Sequence, residues 1–527
     1  MGIYLNPGNA GFRKSLRSEI YVDKTGLISY TNKVLDTRQQ FICVSRPRRF
    51  GKSMAAEMLA AYYSKGCDSR EMFQGLAIAK DLSFEEHLNK YPTIRMDVQW
   101  IYSNAENPNE VISLLQKSVI AELQKQYPEY VSSEESSLAF ALSKIHMQTN
   151  DRFVIIIDEW DCLFREDVKN TTLQKEYINF LRGLFKGILA EECIVLAYIT
   201  GILPIKKYGT QSALNNFQEF TMIEPLRLAE YVGFTEDEVQ GLCTQFNMDF
   251  EETKRWYDGY QFHKIGHVYN PKSVVEAMLN KDCKSYWTRT ETYEALRVYI
   301  DMNFDGLKDA IILMLGGGRC KINPAHFTND MTTFQTKDDV LTLLVHLGYL
   351  GYQAEKQEVF IPNEEVRGEF VNAIEVSNWQ EVMRSITASE ALLEATLNCD
   401  VQTVAQGLDS VHMDTTSILR YNDENALSCV ISLAYYSARN YYYLKRELPA
   451  GKGFADMVFL PRSNNPEKPA LIVELKWDNS AKGAISQIKE RQYIKGLDGY
   501  TGTVFLVGIN YNKETKTHEC IIETIEH

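Results

Sequence analysis

No uninterrupted apolar run in this 527-residue chain has the length needed to cross a bilayer, so a chain without membrane spans is the expectation. Its start, MGIYLNPGNAGFRK, lacks the apolar core of a signal peptide, and Asn6 stands where a myristoylation signal needs Ser or Thr. The ten cysteines are scattered singly from Cys43 to Cys520, and no C-x-x-C pair offers a zinc or dithiol motif. A reducing, cytoplasmic setting is therefore expected. Positive charge is also short. A formal charge of -14 repels a polyanion on average, so any contact with nucleic acid requires local basic patches.

What is present is ordinary globular material, with 45% hydrophobic and 24% charged residues. The length favours about three or four domains. The stretch ICVSRPRRFGKSMAAEML ends its basic turn on Gly51, Lys52 and Ser53, which match the close of a phosphate-binding loop. Arg46 stands where the full pattern begins with glycine. Glycine is required only where the backbone turns to positive φ or is closely approached, so Arg46 is compatible with such a loop. Gln40 to Ser45 predicts a strand and Ser53 to Tyr63 a helix, the context in which amides at a helix start face an anion. Lys52 would then reach the outer phosphates and Ser53 would ligate Mg²⁺. Alone, the tripeptide reads equally as a basic turn before a helix.

The segment RFVIIIDEWDCLF supplies a partner. Phe153 to Ile157 have the unbroken apolar character of a strand buried on both faces, and they end in Asp158 and Glu159. Acids at the carboxyl end of a central strand are placed to handle a ligand, Asp158 holding Mg²⁺ through water and Glu159 orienting the attacking water. A strand leaving the core through acidic residues is the alternative. A third apolar strand, CIVLAYITG, ends in Thr200, which either senses the γ-phosphate or caps the next turn.

These segments, with YVDKTGLI, ITGILPI, GFTEDEV, WYDGYQF and YNPKSV in the same order, resemble the bacterial AAA-ATPase-like family. The resemblance implies ATP binding with Mg²⁺ at a variant loop built from Arg46, Pro47, Arg48, Arg49, Phe50, Gly51, Lys52, Ser53 and Met54. Arg46, Arg48 and Arg49 would serve as extra cations beside the phosphates or as contacts to a neighbouring domain, both suited to a guanidinium fork.

From Phe234 to about Val298 the signal is mainly helical, resembling the lid of this ATPase class. Trp256, Tyr257 and Tyr260 read as core packing in preference to ligand contact. Further on, TKDDVLTLLVHLGYLGYQAEKQEVFIPNEEVR predicts a capped helix, a turn and a hairpin. That pattern is winged-helix-like, and acidic neighbours such as Asp338, Asp339, Glu355, Glu364 and Glu365 favour a spacer over a DNA reader.

The C-terminal region alternates strand, turn, strand, loop, strand and helix. Asp456 falls in the second strand, while Glu474 and Lys476 share one face of the third, with Leu475 opposite. Two charges on one face of ALIVELK would be costly unless paired or bound to a metal. Asp456, Glu474 and the Leu475 carbonyl make an oxygen-rich site for Mg²⁺, with Lys476 placing the attacking water or offsetting charge on phosphorus. Asp456, E-x-K, then Gln487 and Tyr493 on the following helix resemble the PD-(D/E)xK nuclease superfamily. The resemblance implies Glu447 as the upstream acid, and it places an arginine where this chain has Phe454.

The expected fold class is α/β. An AAA-ATPase-like P-loop NTPase core (1–232) precedes a helical lid (233–300), a winged-helix-like connector (301–375), a helical linker (376–425) and a restriction-endonuclease-like α/β domain (426–527). The expected partners are a nucleotide and DNA or RNA, with self-association into a homo-oligomer left open. The expected function is ATP-gated, Mg²⁺-dependent cleavage of nucleic acid, in defence or mobile-element biology by family resemblance only. The alternative is a nucleotide-operated switch or nucleic-acid-binding protein whose nuclease fold no longer cuts.

Overall fold

The computed structural model describes residues 2–205, 207–208, 211–262, 265–287, 293–302, 304–328, 334–377, 379–416, 424–450, 453–462, 464–497 and 500–526. Parts of the helical stretches expected over 233–300 and 376–425, at 263–264, 288–292, 378 and 417–423, lie outside the described residues. The chain forms two compact units, Met1–Thr290 with Lys321–Val366, and Glu291–Cys320 with Arg367–His527.

In the first unit, short apolar segments assemble into a parallel sheet. Its strands are β1 (Phe41–Ser45), β2 (Thr93–Asp97), β3 (Phe153–Asp158), β4 (Ile194–Gly201) and β5 (Gln218–Phe220), in the order β2-β3-β4-β1-β5. Every pairing is parallel, and β1, β3 and β4 are buried at each residue. Burial on both faces is why these strands read as continuous apolar runs. The order sets the carboxyl ends of β1 and β3 on either side of β4. Helix Lys52–Tyr63 leaves directly from the loop after β1.

The region after Gly233 is less helical than its sequence suggests. Helices Glu236–Phe246, Phe250–Tyr257 and Pro271–Asn280 are joined by an antiparallel sheet of Phe234–Thr235, Tyr260–Phe262 and Gly266–Tyr269. Strands of two to four residues are too short to display a period of two. Tyr257 and Tyr260 are buried, and the Tyr260 hydroxyl donates to the Gly348 carbonyl at 2.6 Å, so these aromatics pack as the sequence indicates. Helix Lys337–Leu347 and the hairpin of Gly351–Gln353 with Glu358–Phe360 reproduce the expected helix, turn and hairpin.

The second unit is built on a mixed sheet of β6 (Tyr442–Ala450), β7 (Gly453–Pro461), β8 (Ala470–Trp477), β9 (Thr503–Asn512) and β10 (Thr517–Glu526), in sequential order. Only β8 and β9 pair in parallel, and helix Ala481–Glu490 makes the crossover that a parallel pair requires. Its Ala484, Ile485 and Ile488 are buried, Ile485 and Ile488 in one cluster with Ile472 and Leu506 of the sheet. Tyr493 is not on this helix. The helix ends at Glu490, Gln492 turns left-handed at φ 57°, and Tyr493 opens a separate 3₁₀ turn. Among the described residues no helix is long and apolar enough to cross a membrane.

Candidate active sites

The loop after β1 is shaped by backbone conformation. Arg49 (φ 68°) and Gly51 (φ 91°) are left-handed, as is Glu159 (φ 52°) after β3. A Cβ on Gly51 would meet nothing within 4 Å, so glycine is favoured there by its φ alone. Left-handed non-glycine residues cost free energy and gather where function demands a fixed backbone. The loop borders a cleft of about 770 Å³ whose polar lining includes Arg48, Arg49, Gly51, Lys52, Ser53, Glu159 and Arg165. Its apolar lining includes Ile20, Val22, Phe50, Met54, Phe234 and Val275. This volume falls in the ordinary range for a small-molecule site.

Lys52 is buried and donates to the Pro47 carbonyl at 2.9 Å, with Glu159 Oε1 at 4.0 Å. Burial lowers its pKa, opposed by Glu159, Asp161 and Asp158. Asp158 is buried, and Thr200 Oγ1 stands 3.4 Å from its Oδ1. Burial raises the Asp158 carboxyl, against Ser53 and Lys52. Parallel register explains the Thr200 contact, since Ile157 pairs with Ile199.

The structure does not bring every loop residue to the cleft. Arg46 is fully buried below it, where Nη1 donates to the carbonyls of Ser45 (2.9 Å), Phe220 and Thr221 (both 3.0 Å), and its guanidinium lies 5.1 Å from the Phe262 ring. It ties β1 to the end of β5. The expectation of a phosphate contact is corrected accordingly. Pro47 and Thr200 also lie outside the lining. Arg49 Nη1 donates to the carbonyls of Tyr286 (3.0 Å) and Trp287 (3.4 Å), and Arg48 approaches Glu166 at 3.5 Å.

Two further arginines were not singled out from the sequence. Arg165 bonds Glu159 and, through Nε at 3.0 Å, Asp161, whose Oδ2 also accepts from Ile202 and Leu203 amides. The i,i+4 spacing of Asp161 and Arg165 on a helix was the available signal. Arg95 sits 3.9 Å from Asp158 and 3.7 Å from Glu57, a pairing with no local pattern.

In the second unit the antiparallel register of β7 and β8 pairs Met457 with Val473, which sets Asp456 level with Glu474. Asp456 Oδ2 accepts from the Leu475 amide at 2.7 Å. Glu474 is 1% exposed. Its Oε1 accepts from Lys476 Nζ at 3.0 Å and from Gln487 Nε2, which also reaches the Tyr493 hydroxyl at 3.2 Å. Oε2 is buried without a hydrogen-bond partner. Burial first, then the Asp456 charge, pushes the Glu474 carboxyl up to about 7 against Lys476 and Arg491.

The orphaned Oε2 of Glu474 and the level Asp456 carboxylate are oxygen donors of the kind a hard divalent cation takes. Leu475 presents its side chain to the opposite, buried face, as expected. Glu447 is exposed and left-handed (φ 48°), at the register position facing Asp456. Among the described residues no group of three or more His, Cys, Asp or Glu could hold a metal, so Glu447 does not complete a three-carboxylate cluster.

Residues 11–210 match the family model described as predicted AAA-ATPase, and residues 422–520 match that of the PD-(D/E)XK nuclease superfamily. A curated relative, the "Uncharacterized protein in vnfD 5'region" of Azotobacter chroococcum mcd 1, is 24% identical over 281 residues, 52% of this chain and 51% of that protein. The chain thus spans about half the length of that relative. Among solved structures, the Aeropyrum pernix ORC2 protein in ADPNP-ADP complexes aligns over 69% of this chain and 98% of its own, at 11% identity and TM-score 0.29. Cdc6p from Pyrobaculum aerophilum covers the same shares at 9% identity and TM-score 0.25. Scores so low carry no argument, and the architecture rests on strand order and the two family matches. The chain thus carries one region that matches the predicted AAA-ATPase model and a second that matches the PD-(D/E)XK nuclease superfamily model.

Proposed function

We propose that the chain binds and hydrolyses ATP in its first unit and uses that nucleotide to control metal-dependent cleavage of nucleic-acid phosphodiesters in its second. The observation that carries the reading is Glu474, a carboxylate buried among apolar strands, with one oxygen unpartnered and Asp456 beside it. Such a group is costly to keep unless a ligand completes it.

In the first unit, amides at the start of helix Lys52–Tyr63 and the Lys52 ammonium would take the phosphates. Ser53, on the cleft wall, and the buried Asp158 would hold Mg²⁺. Glu159, on the cleft wall, takes the proton of the attacking water, and Arg165 fixes its orientation.

In the second unit, Asp456, Glu474 and the Leu475 carbonyl would hold a divalent cation. Bound there, the ion supplies Lewis-acid charge to a phosphoryl oxygen. Lys476 offsets charge on the phosphorus and orients the attacking water. Gln487, braced by Tyr493, holds Glu474 in place. All ten cysteines are free thiols, which fits a cytoplasmic setting.

The test is incubation of purified protein with Mg²⁺ or Mn²⁺ and mixed DNA and RNA, with and without ATP. Cleavage products should depend on nucleotide and fall at least about 100-fold in rate in Glu474→Ala and in Lys476→Ala. Products that persist in both variants, or none with any metal and nucleotide, would remove the cleavage reading. In the second case the chain would remain a nucleotide-operated binding protein.

A further inference from the structure

Helix Ala481–Glu490 ends beside the second-unit site, and the residue that caps it is Arg491, whose amide donates to the Gln487 carbonyl at 3.0 Å. Its side chain is exposed, and Nη1 donates to the Tyr493 hydroxyl at 3.4 Å. Tyr493 in turn accepts from Gln487, which donates to Glu474. A chain of hydrogen bonds therefore links the guanidinium to the buried carboxylate.

Two other observations set Arg491 apart. The first concerns room. An ideal Cβ on Gly453, the first residue of β7, would come within 3.0 Å of Arg491 Cδ and Nη1 and 3.4 Å of the Tyr493 hydroxyl. Gly453 has no positive φ to justify a glycine, so its missing side chain serves as space for the guanidinium. The second concerns charge. Lys476 pairs with Glu474 and Lys489 with Glu523, whereas Arg491 has no ion pair among the described residues. Arg491 acts on the Glu474 charge only at a distance, so in a chain of formal charge -14 its fork, seated in the notch without an ion pair, stays open to an anion from outside. Phe454, next to the notch and 61% exposed, brings no charge of its own.

We propose that Arg491 is the cation through which this site grips the phosphodiester backbone of nucleic acid. The inference rests on the nuclease reading above and adds the residue that recognises substrate. Its fork suits a phosphate, and Tyr493 holds one arm so that the outer face stays open to the ligand. The cleavable bond is thereby drawn toward Asp456 and Glu474 by a positive charge that takes no part in holding the metal.

The test uses the full chain and fluorescein-labelled single- and double-stranded DNA and RNA oligonucleotides. Anisotropy titrations are run in EDTA and in Ca²⁺ over a range of salt concentrations. Arg491→Ala should bind about 5- to 10-fold more weakly near 0.1 M salt, and its slope of log K against log salt should be shallower by about 0.7 to 0.9. Arg491→Lys should restore the slope, because retained charge governs counterion release. Arg491 acting only as a brace for Tyr493 would leave the slope unchanged in both variants, which overturns the proposal. Binding that follows this pattern without cleavage in Mg²⁺ supports the contact while removing the cleavage reading. Wild-type protein that binds no oligonucleotide overturns both.

Discussion

Glu365 is 1% exposed, and its Oε1 accepts from the amides of Tyr286 (2.7 Å) and Trp287 (3.0 Å), the residues whose carbonyls receive Arg49 of the loop after β1. Burial pushes this carboxyl up to about 7, against those amides and Arg49. Its unfolded value is about 4.3. A raised acid contributes stability that is complete below the unfolded value and is lost as pH rises through the folded one. The wild-type unfolding midpoint should therefore fall between about pH 5 and 7.5, by on the order of 1–3 kcal/mol in stability. Glu365→Gln keeps an acceptor oxygen and cannot ionise, so its midpoint should be flatter over that window. Parallel profiles for the two proteins would show that Glu365 does not titrate there.

Helix Glu236–Phe246 illustrates how one side chain can hold an element twice. Thr235 and Glu238 form a capping box, in which Glu238 Oε2 accepts from the Thr235 amide at 2.8 Å. The same carboxylate takes Lys24 Nζ at 2.6 Å, and Lys24 lines the cleft beside the loop after β1. Burial lowers the Lys24 pKa, with Glu238 opposing it. Thr235→Ala should cost about 1 kcal/mol, the usual loss of a cap. Glu238→Ala removes half the cap and leaves Lys24 without its carboxylate, so it should cost roughly 2–3 kcal/mol. Equal losses on denaturant unfolding would mean that the Lys24 pair adds nothing.

The elements that frame both sites were legible from local pattern. FVIIID, FICVS and the strand at Glu474 carry their own signature because burial on both faces demands continuous apolar residues. Alternation along β8 likewise put Glu474 and Lys476 on one face. The partners of Arg46 were not legible, because its carbonyl acceptors at Phe220 and Thr221 lie more than a hundred residues away on another strand. Arg95 escaped because Glu57 and Asp158 lie on other elements, and Arg491 because the Gly453 that makes room for it belongs to strand β7. A charged side chain shows its chemistry in the sequence but its neighbours only in the fold. Tyr493 was put on the wrong element because a left-handed Gln492, which no local pattern announces, ends the turn before it.

At the scale of the molecule, each unit has its own sheet, its own core and its own candidate ligand site. Units of this kind unfold as separate cooperative blocks, so calorimetry should resolve two transitions. A ligand that binds only the folded form stabilises by mass action, about 2.7 kcal/mol when its concentration is a hundred times its dissociation constant. A non-hydrolysable ATP analogue with Mg²⁺ should therefore raise the transition of the first unit. Lys52→Ala should abolish that rise, because the buried ammonium held at Pro47 and Glu159 is the group proposed to take the phosphates. Mn²⁺ alone should raise the transition of the second unit in wild type and leave it unmoved in Glu474→Ala. A rise of the second transition with nucleotide, present in wild type and absent in Lys52→Ala, would measure directly the proposed coupling between nucleotide and cleavage. If Lys52→Ala still responds fully to the analogue, the loop after β1 is not where the nucleotide binds. A Mn²⁺ shift that survives in Glu474→Ala would place the metal elsewhere than at Asp456 and Glu474.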